Sequence, residues 1–136
     1  MILLDTSVLS AVLRRKQVGP TERQLAGILQ GLLNAGQRVS LPGLVVQELL
    51  SGTREEAQFQ RIKTILLRGY SVVTAALGDH LLAADITNKC RRKGIPASSG
   101  DALIAALAIN RRATLFEADE DFEHIAKAVP LKLLGK

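Results

Sequence analysis

Carboxylates stand beside four short apolar runs, and they are the first residues here whose types and spacing suggest chemistry. Asp5 directly follows Ile2-Leu3-Leu4. Glu48 lies one turn into a helical stretch that follows Val39-Ser40-Leu41. Asp101 precedes Ala102-Leu103-Ile104, and Asp119 and Asp121 come shortly after Ala113 to Phe116. Each acid taken singly has an ordinary explanation. Asp5 and Asp101 suit helix N-caps and complement a helix dipole. Glu48 suits the exposed face of an amphipathic helix, and Asp119 to Glu123 suits a solvated helix start. Taken together they point elsewhere. Acids embedded in apolar sequence sit at the margin of a core, where like charges repel and raise one another's pKa. A divalent cation relieves that repulsion, and oxygen-only ligands with water favour Mg2+ or Mn2+ over zinc. His80 and His124 are isolated and lack zinc-type spacing, so both read as surface or packing residues.

The charge balance supports a polyanionic substrate. The chain carries 18 Lys and Arg against 13 Asp and Glu, a net +5. With Asp5, Glu48, Asp101 and Asp119 gathered in one pocket, nine acids remain against the 18 bases, and the rest of the surface is more strongly basic. A metal in an acidic pocket ringed by bases is the layout of a nuclease: the metal activates water, and the bases hold the phosphodiester backbone. Candidate bases are Arg14-Arg15-Lys16, Arg91-Arg92-Lys93 and Arg111-Arg112. Each cluster falls at an expected helix C-terminus, where dipole complementation on a solvated face is the competing reading.

The elements that must position these groups follow from the turn signals and apolar periodicity. At 136 residues with 47% hydrophobic and 3% aromatic residues, the chain reads as one domain, 1–136, with an aliphatic core. Its longest apolar run, Ala102 to Ile109, is far short of the roughly 20 residues that span a bilayer. Cys90 is the single cysteine, which excludes an internal disulfide and a multi-cysteine zinc site, and it reads as a small packing residue. An acid at position 5 does not suit a signal peptide, so a cytoplasmic protein is expected.

Expected strands are Ile2 to Leu4, Val39 to Leu41, Tyr70 to Val73 and Ala113 to Phe116, with Leu131 to Leu133 as a final edge strand. Expected helices run from Thr6 to Arg15, Thr21 to Ala35, Gly43 to Leu50, Asp79 to Lys93, Asp101 to Arg112 and Asp119 to Ala128. Thr21-x-x-Gln24 and Thr53-x-x-Glu56 read as capping boxes, the second opening a helix with Phe59, Ile62 and Leu66 on one stripe. That stripe reads as core before it reads as a partner surface. Strands alternating with helices imply an α/β fold with an open, mostly parallel sheet covered on both faces. In such folds ligands bind at the carboxyl ends of the strands, where strand order reverses.

The sequence resembles the PIN domain family, and within it the VapC-type toxins of toxin–antitoxin pairs. The resemblance is carried by Asp5-Thr6-Ser7-Val8-Leu9, Val46-Gln47-Glu48-Leu49-Leu50-Ser51-Gly52, Asp101-Ala102-Leu103-Ile104-Ala105-Ala106 and Asp119-Glu120-Asp121-Phe122. It covers nearly the whole chain, and the four motifs occur in the family's order. It implies a three-layer α/β/α PIN-like domain and an Mg2+- or Mn2+-dependent endoribonuclease. Asp5, Glu48, Asp101 and Asp119 match the family's acidic quartet, and Thr6 matches a position that orients ligand or water. Asp121 competes with Asp119 for the fourth place. Asp119 is preferred as nearer the strand end, which leaves Asp121 in support or capping the next helix. The resemblance also implies RNA as substrate, a VapB-like antitoxin partner that inserts a basic side chain into the acidic pocket, and a homodimer.

One position departs from the family. Two residues before the fourth acid a Thr or Ser is usual, and here Glu117 stands there. A carboxylate in that place adds negative charge unless it turns away, so Glu117, along with the marginal placement of Glu48, favours a second reading, a non-catalytic PIN-like domain that binds RNA or protein. A third reading is a receiver-like signalling domain. It lacks adjacent acids at Asp5, an acid close after Val73 and a lysine before Pro130.

Overall fold

The computed structural model describes residues 1–13 and 19–136. Among these, five strands form one sheet in the order β3-β2-β1-β4-β5, every neighbouring pair parallel. The strands are β1 (Ile2–Leu4), β2 (Val39–Pro42), β3 (Ser71–Val73), β4 (Thr114–Phe116) and β5 (Lys132–Leu133). The helices are α1 (Thr6–Val12), α2 (Pro20–Asn34), α3 (Gly43–Ser51), α4 (Glu56–Gly69), α5 (Leu77–Arg92), α6 (Ser99–Asn110) and α7 (Glu120–Ile125).

The strand at the centre of the sheet is β1, and its three residues are all buried. A strand covered on both faces must be apolar throughout, which is what Ile2-Leu3-Leu4 supplies. Leu3 pairs with Ser40 on one side and with Leu115 on the other. The edge strand β3 is mostly exposed. α6 has a continuous buried middle from Ile104 to Ala108 and packs against α5. The result is a three-layer α/β/α arrangement with an aliphatic core in which Cys90 is fully buried.

From β1 the chain winds outward through β2 to β3, then returns to place β4 on the opposite flank of β1. Strand order therefore reverses at β1 and β4, and the carboxyl ends of those two strands form the crevice of the sheet. The backbone N–H of Asp5 donates to the carbonyl of Phe116 at 3.0 Å, which carries the β1–β4 ladder one residue past the strand.

Several helix starts differ from their sequence patterns. α2 begins at Pro20 behind Gly19, with no side-chain cap, so Thr21 lies inside the helix rather than capping it. Pro fits there because the first helical N–H needs no intrahelical partner. Thr53 also forms no capping box. Its hydroxyl donates back to the Leu50 carbonyl at 2.8 Å, and α4 starts behind Glu55. A local side-chain bond to the preceding turn has won over the helix cap. Asp101 does not open its helix: Ser98 is the N-cap and accepts from the Asp101 N–H at 3.1 Å. α7 is shorter than its sequence pattern, running only to Ile125. The expected end of the first helix, Arg14 and Arg15, lies outside the described residues, as does the whole Arg14-Arg15-Lys16 cluster. Gly94 ends α5 with φ +70, a conformation glycine adopts without steric cost.

Candidate metal centre

Asp5 leaves β1 with extended backbone and caps α1. Its Oδ2 accepts from the Ser7 N–H at 3.1 Å and from the Ser7 hydroxyl at 2.6 Å. The capping explanation for Asp5 is therefore realised, yet it occupies only one carboxylate oxygen. Oδ1 receives no hydrogen bond among the described residues, although Asp5 is only 5% exposed. Ser7 does more than close the cap. Its hydroxyl oxygen also accepts from the Ala118 N–H at 2.9 Å, which ties the end of β1 to the loop after β4.

That loop carries the next acids. Asp119 is the N-cap of α7, and its Oδ1 accepts from the Asp121 N–H at 3.0 Å. The cap of α7 is thus Asp119, not Asp121. Asp101, in the first turn of α6, completes the group. One carboxylate oxygen from each of Asp101, Asp119 and Asp121 lies within 4.8 Å of the others.

The electrostatics match this crowding. The Asp101 carboxyl is raised from its ordinary value to about 6, first by burial, then by the charges of Asp5 and Asp119, with a smaller push from Asp121. The hydrogen bond involving Ser98 partly offsets this rise. Asp5 therefore acts on the same group electrostatically, although it is outside the tight trio. Glu48 stands apart. It is exposed on α3, and its Oε1 accepts from the Thr6 hydroxyl at 2.7 Å, so it is joined to the segment beside Asp5 at the rim.

Glu117 is taken up elsewhere. Its Oε2 accepts from the Asp119 N–H at 2.8 Å, its Oε1 accepts from Lys136 Nζ at 3.5 Å, and its side chain is 3% exposed. Lys136 also pairs with Glu123. Burial raises the Glu117 carboxyl while Lys136 and the Asp119 N–H lower it. The carboxylate thus shapes the loop that presents Asp119 and is partnered by a lysine.

The donor set suits a hard cation: oxygen ligands only, several carboxylates of like charge, and no histidine or thiol among them. His80 and His124 are both exposed. Of the basic clusters, Arg91-Arg92-Lys93 is exposed at the end of α5. Arg111 is not available to a substrate. Its guanidinium donates through two nitrogens to the two carboxylate oxygens of Asp79, at 2.9 and 3.1 Å.

Two features escaped the sequence reading. Ser7 sat inside the Asp-Thr-Ser string, where an acid followed two residues later by a hydroxyl is a local capping signal. Ser98 lies three residues before Asp101, and that Ser-x-x-Asp spacing is itself an N-terminal helix signature.

The sequence model for the PIN domain matches residues 2–128. No curated protein sequence matches the chain. Solved structures do. FitAcB from Neisseria gonorrhoeae matches with a TM-score of 0.79 at 22% identity, covering 98% of this chain and 96% of that one. VapBC2 from Rickettsia felis, bound to a DNA fragment from its promoter, matches at 0.77 and 20% identity, covering 98% and 97%. VapBC-1 from nontypeable Haemophilus influenzae matches at 0.76 and 21% identity, covering 98% and 96%. The family match sets aside the receiver-like reading.

Proposed function

The chain belongs to the PIN domain family, and on that premise we propose that it is an Mg2+- or Mn2+-dependent endoribonuclease, the cytoplasmic toxin of a VapBC-type pair. The whole of 1–136 acts as one domain in this reading. One observation carries it. At the crevice where strand order reverses, Asp101 is held beside Asp119 and Asp121 and under the charge of Asp5, a repulsion that a cation relieves. Structural neighbours that include toxin–antitoxin complexes support the toxin role.

In this reading Asp101, Asp119 and Asp121, with the charge of Asp5 beside them, would hold the ion, with water completing its shell. A bound divalent ion lowers the pKa of water and neutralises charge on the phosphodiester. The residues do the rest. Ser7 and Glu117 hold the backbone that presents Asp119. Thr6 holds one oxygen of Glu48 at the rim, and the other would accept a proton from the attacking water. Water adds to phosphorus, one P–O bond of the RNA backbone breaks, and the departing oxygen takes a proton from solvent, to which Glu48 returns the one it accepted.

The same pocket attracts a guanidinium, so a VapB-like antitoxin with an arginine in its tail would silence it. A homodimer accompanies this assignment. The binding-only reading rested on Glu117 and on the marginal placement of Glu48; Glu117 is partnered by Lys136 and the Asp119 N–H, while Glu48 is exposed and outside the carboxylate trio.

RNA cleavage by the purified chain with EDTA, Mg2+ or Mn2+ tests the proposal, with Asp5→Asn run beside it. Asn caps a helix as well as Asp does, so the variant keeps α1 while removing the charge. Metal-dependent cuts absent from the variant are expected. Equal cutting by a folded variant would refute the assignment.

A further inference from the structure

Beside the acidic centre lies a cleft of about 640 Å3 whose lining carries both an acid and a base. The acid is Asp121, a member of the carboxylate trio. The base is Arg91, and Ile95, Pro96 and Ala97 line the same cleft. We propose that this cleft is the track of the RNA strand leading away from the cut site, with Arg91 binding the neighbouring phosphate. The inference rests on the nuclease reading above and extends it to a specific substrate-binding residue.

Two observations carry it. Arg91 donates one bond, from NH1 to Asn88 Oδ1 at 3.2 Å, and its other N–H groups meet no acceptor among the described residues. A guanidinium retains a planar fork of donors that matches phosphate oxygens. The segment Ile95-Pro96-Ala97 lines the same cleft and presents apolar surface on which a sugar or base can lie.

The same helix end supplies an internal control. Arg92 and Lys93 follow Arg91, carry the same charge and complement the same helix dipole, but do not line the cleft. A diffuse electrostatic role would spread over all three. A phosphate contact belongs to Arg91.

The test compares Arg91→Gln with Arg92→Gln in the full chain. A short single-stranded RNA of mixed sequence is titrated against each in an Asp5→Asn background, without metal and over a range of salt. Cleavage is measured separately with Asp5 restored. Arg91→Gln is expected to weaken binding about tenfold, as loss of a charge-assisted phosphate contact does. It should reduce the slope of log affinity against log salt by about 0.7, the value for one phosphate on a single strand. In cleavage, KM rises with kcat kept. Arg92→Gln should change binding less than twofold. Equal effects of the two variants, or none from Arg91→Gln, would overturn the cleft assignment while leaving the nuclease intact. If Arg91→Gln alone weakens RNA binding but the parent chain never cuts RNA with metal, the nuclease reading fails and the RNA track stands.

Discussion

Asp79 and Asp101 lie on neighbouring helices of one packed pair, and their surroundings are opposite. Asp79, in the first turn of α5, is 3% exposed and surrounded by donors. It accepts from the Ala76 N–H at 2.8 Å, from Asn110 Nδ2 at 2.9 Å, and from Arg111. Arg111 also reaches the Thr74 carbonyl at 3.3 Å. The Arg111 hydrogen bond, foremost among these, holds the Asp79 carboxyl well below the usual carboxylate range against the opposing effect of burial. This cluster pins the end of α6 to the start of α5. Near the other end of α6, Asp101 has carboxylates for company and is raised to about 6. A buried acid whose oxygens are all met by donors is a structural tie. One kept among like charges stores a cost that a cation or a proton removes, and that separates a site from a scaffold.

The comparison yields predictions that can break it. The largest effect falls on activity. Asp101→Asn should lower metal-dependent RNA cleavage by on the order of 10²–10³-fold, as removal of a preorganised electrostatic group does. Single-turnover cleavage at saturating Mn2+ measures this, and retention of more than a tenth of the activity would place Asp101 outside the site.

The second effect is on stability. Asp79→Asn sets an amide N–H2 against surrounding donors and leaves Arg111 without its counter-charge, at an expected loss of about 3 kcal/mol. Asp101→Asn should instead hold or raise the melting temperature of the metal-free chain, because it removes repulsion. Denaturant melts of the two variants side by side decide the matter. Equal destabilisation would erase the distinction between tie and site.

The third is pH dependence. A folded-state carboxyl raised from 3.8 to about 6 contributes stability that is present below about pH 4 and lost as pH rises through about 6. The Asp101 contribution should therefore decline over that window in the metal-free protein and vanish in Asp101→Asn. Asp79 has the opposite sign: its stabilisation is present at neutral pH and fades only as pH falls below the ordinary carboxylate range. Mn2+ should bind more weakly as pH drops below about 6, because protons compete for Asp101. Mn2+ binding followed by electron paramagnetic resonance across this range reads it directly. Binding that stays constant down to about pH 4 would contradict the crowding.

The smallest effect concerns Glu117. Glu117→Ala removes the acceptor for the Asp119 N–H and should weaken Mn2+ binding by about 10-fold, as loss of a group that orients a ligand does. Glu117→Gln keeps a carbonyl oxygen in reach of that N–H and should recover most of the affinity. Failure of Gln to do better than Ala would assign the effect to the charge of Glu117 rather than to its hold on the loop.

Much of this was legible in the sequence. Alternating short apolar runs and helical stretches define the parallel sheet, because a strand buried on both faces has little choice but Ile2-Leu3-Leu4 or its like. Carboxylates beside such runs mark the crevice, because polar groups at strand ends are where an otherwise apolar layer opens to solvent. The capping boxes at Thr21 and Thr53 were misleading for a simple reason. A hydroxyl finds whichever partner the local turn offers first, and Gly19-Pro20 and the Leu50 carbonyl came first.

The residue types alone determined the class of chemistry: hard oxygen ligands, no thiol or imidazole set, and a basic remainder. Only the tertiary structure decided which carboxylates share space and which are answered by donors. Asp79 and Arg111 lie 32 residues apart, and Ser7 and Ala118 lie 111 apart. No local pattern encodes such pairings, because they depend on the sheet bringing β1 beside β4 and on α5 folding back along α6. Electrostatic effects fall on whatever those elements place within a few ångströms, so an acid's neighbours, and hence its role, are set by the fold rather than by its place in the string.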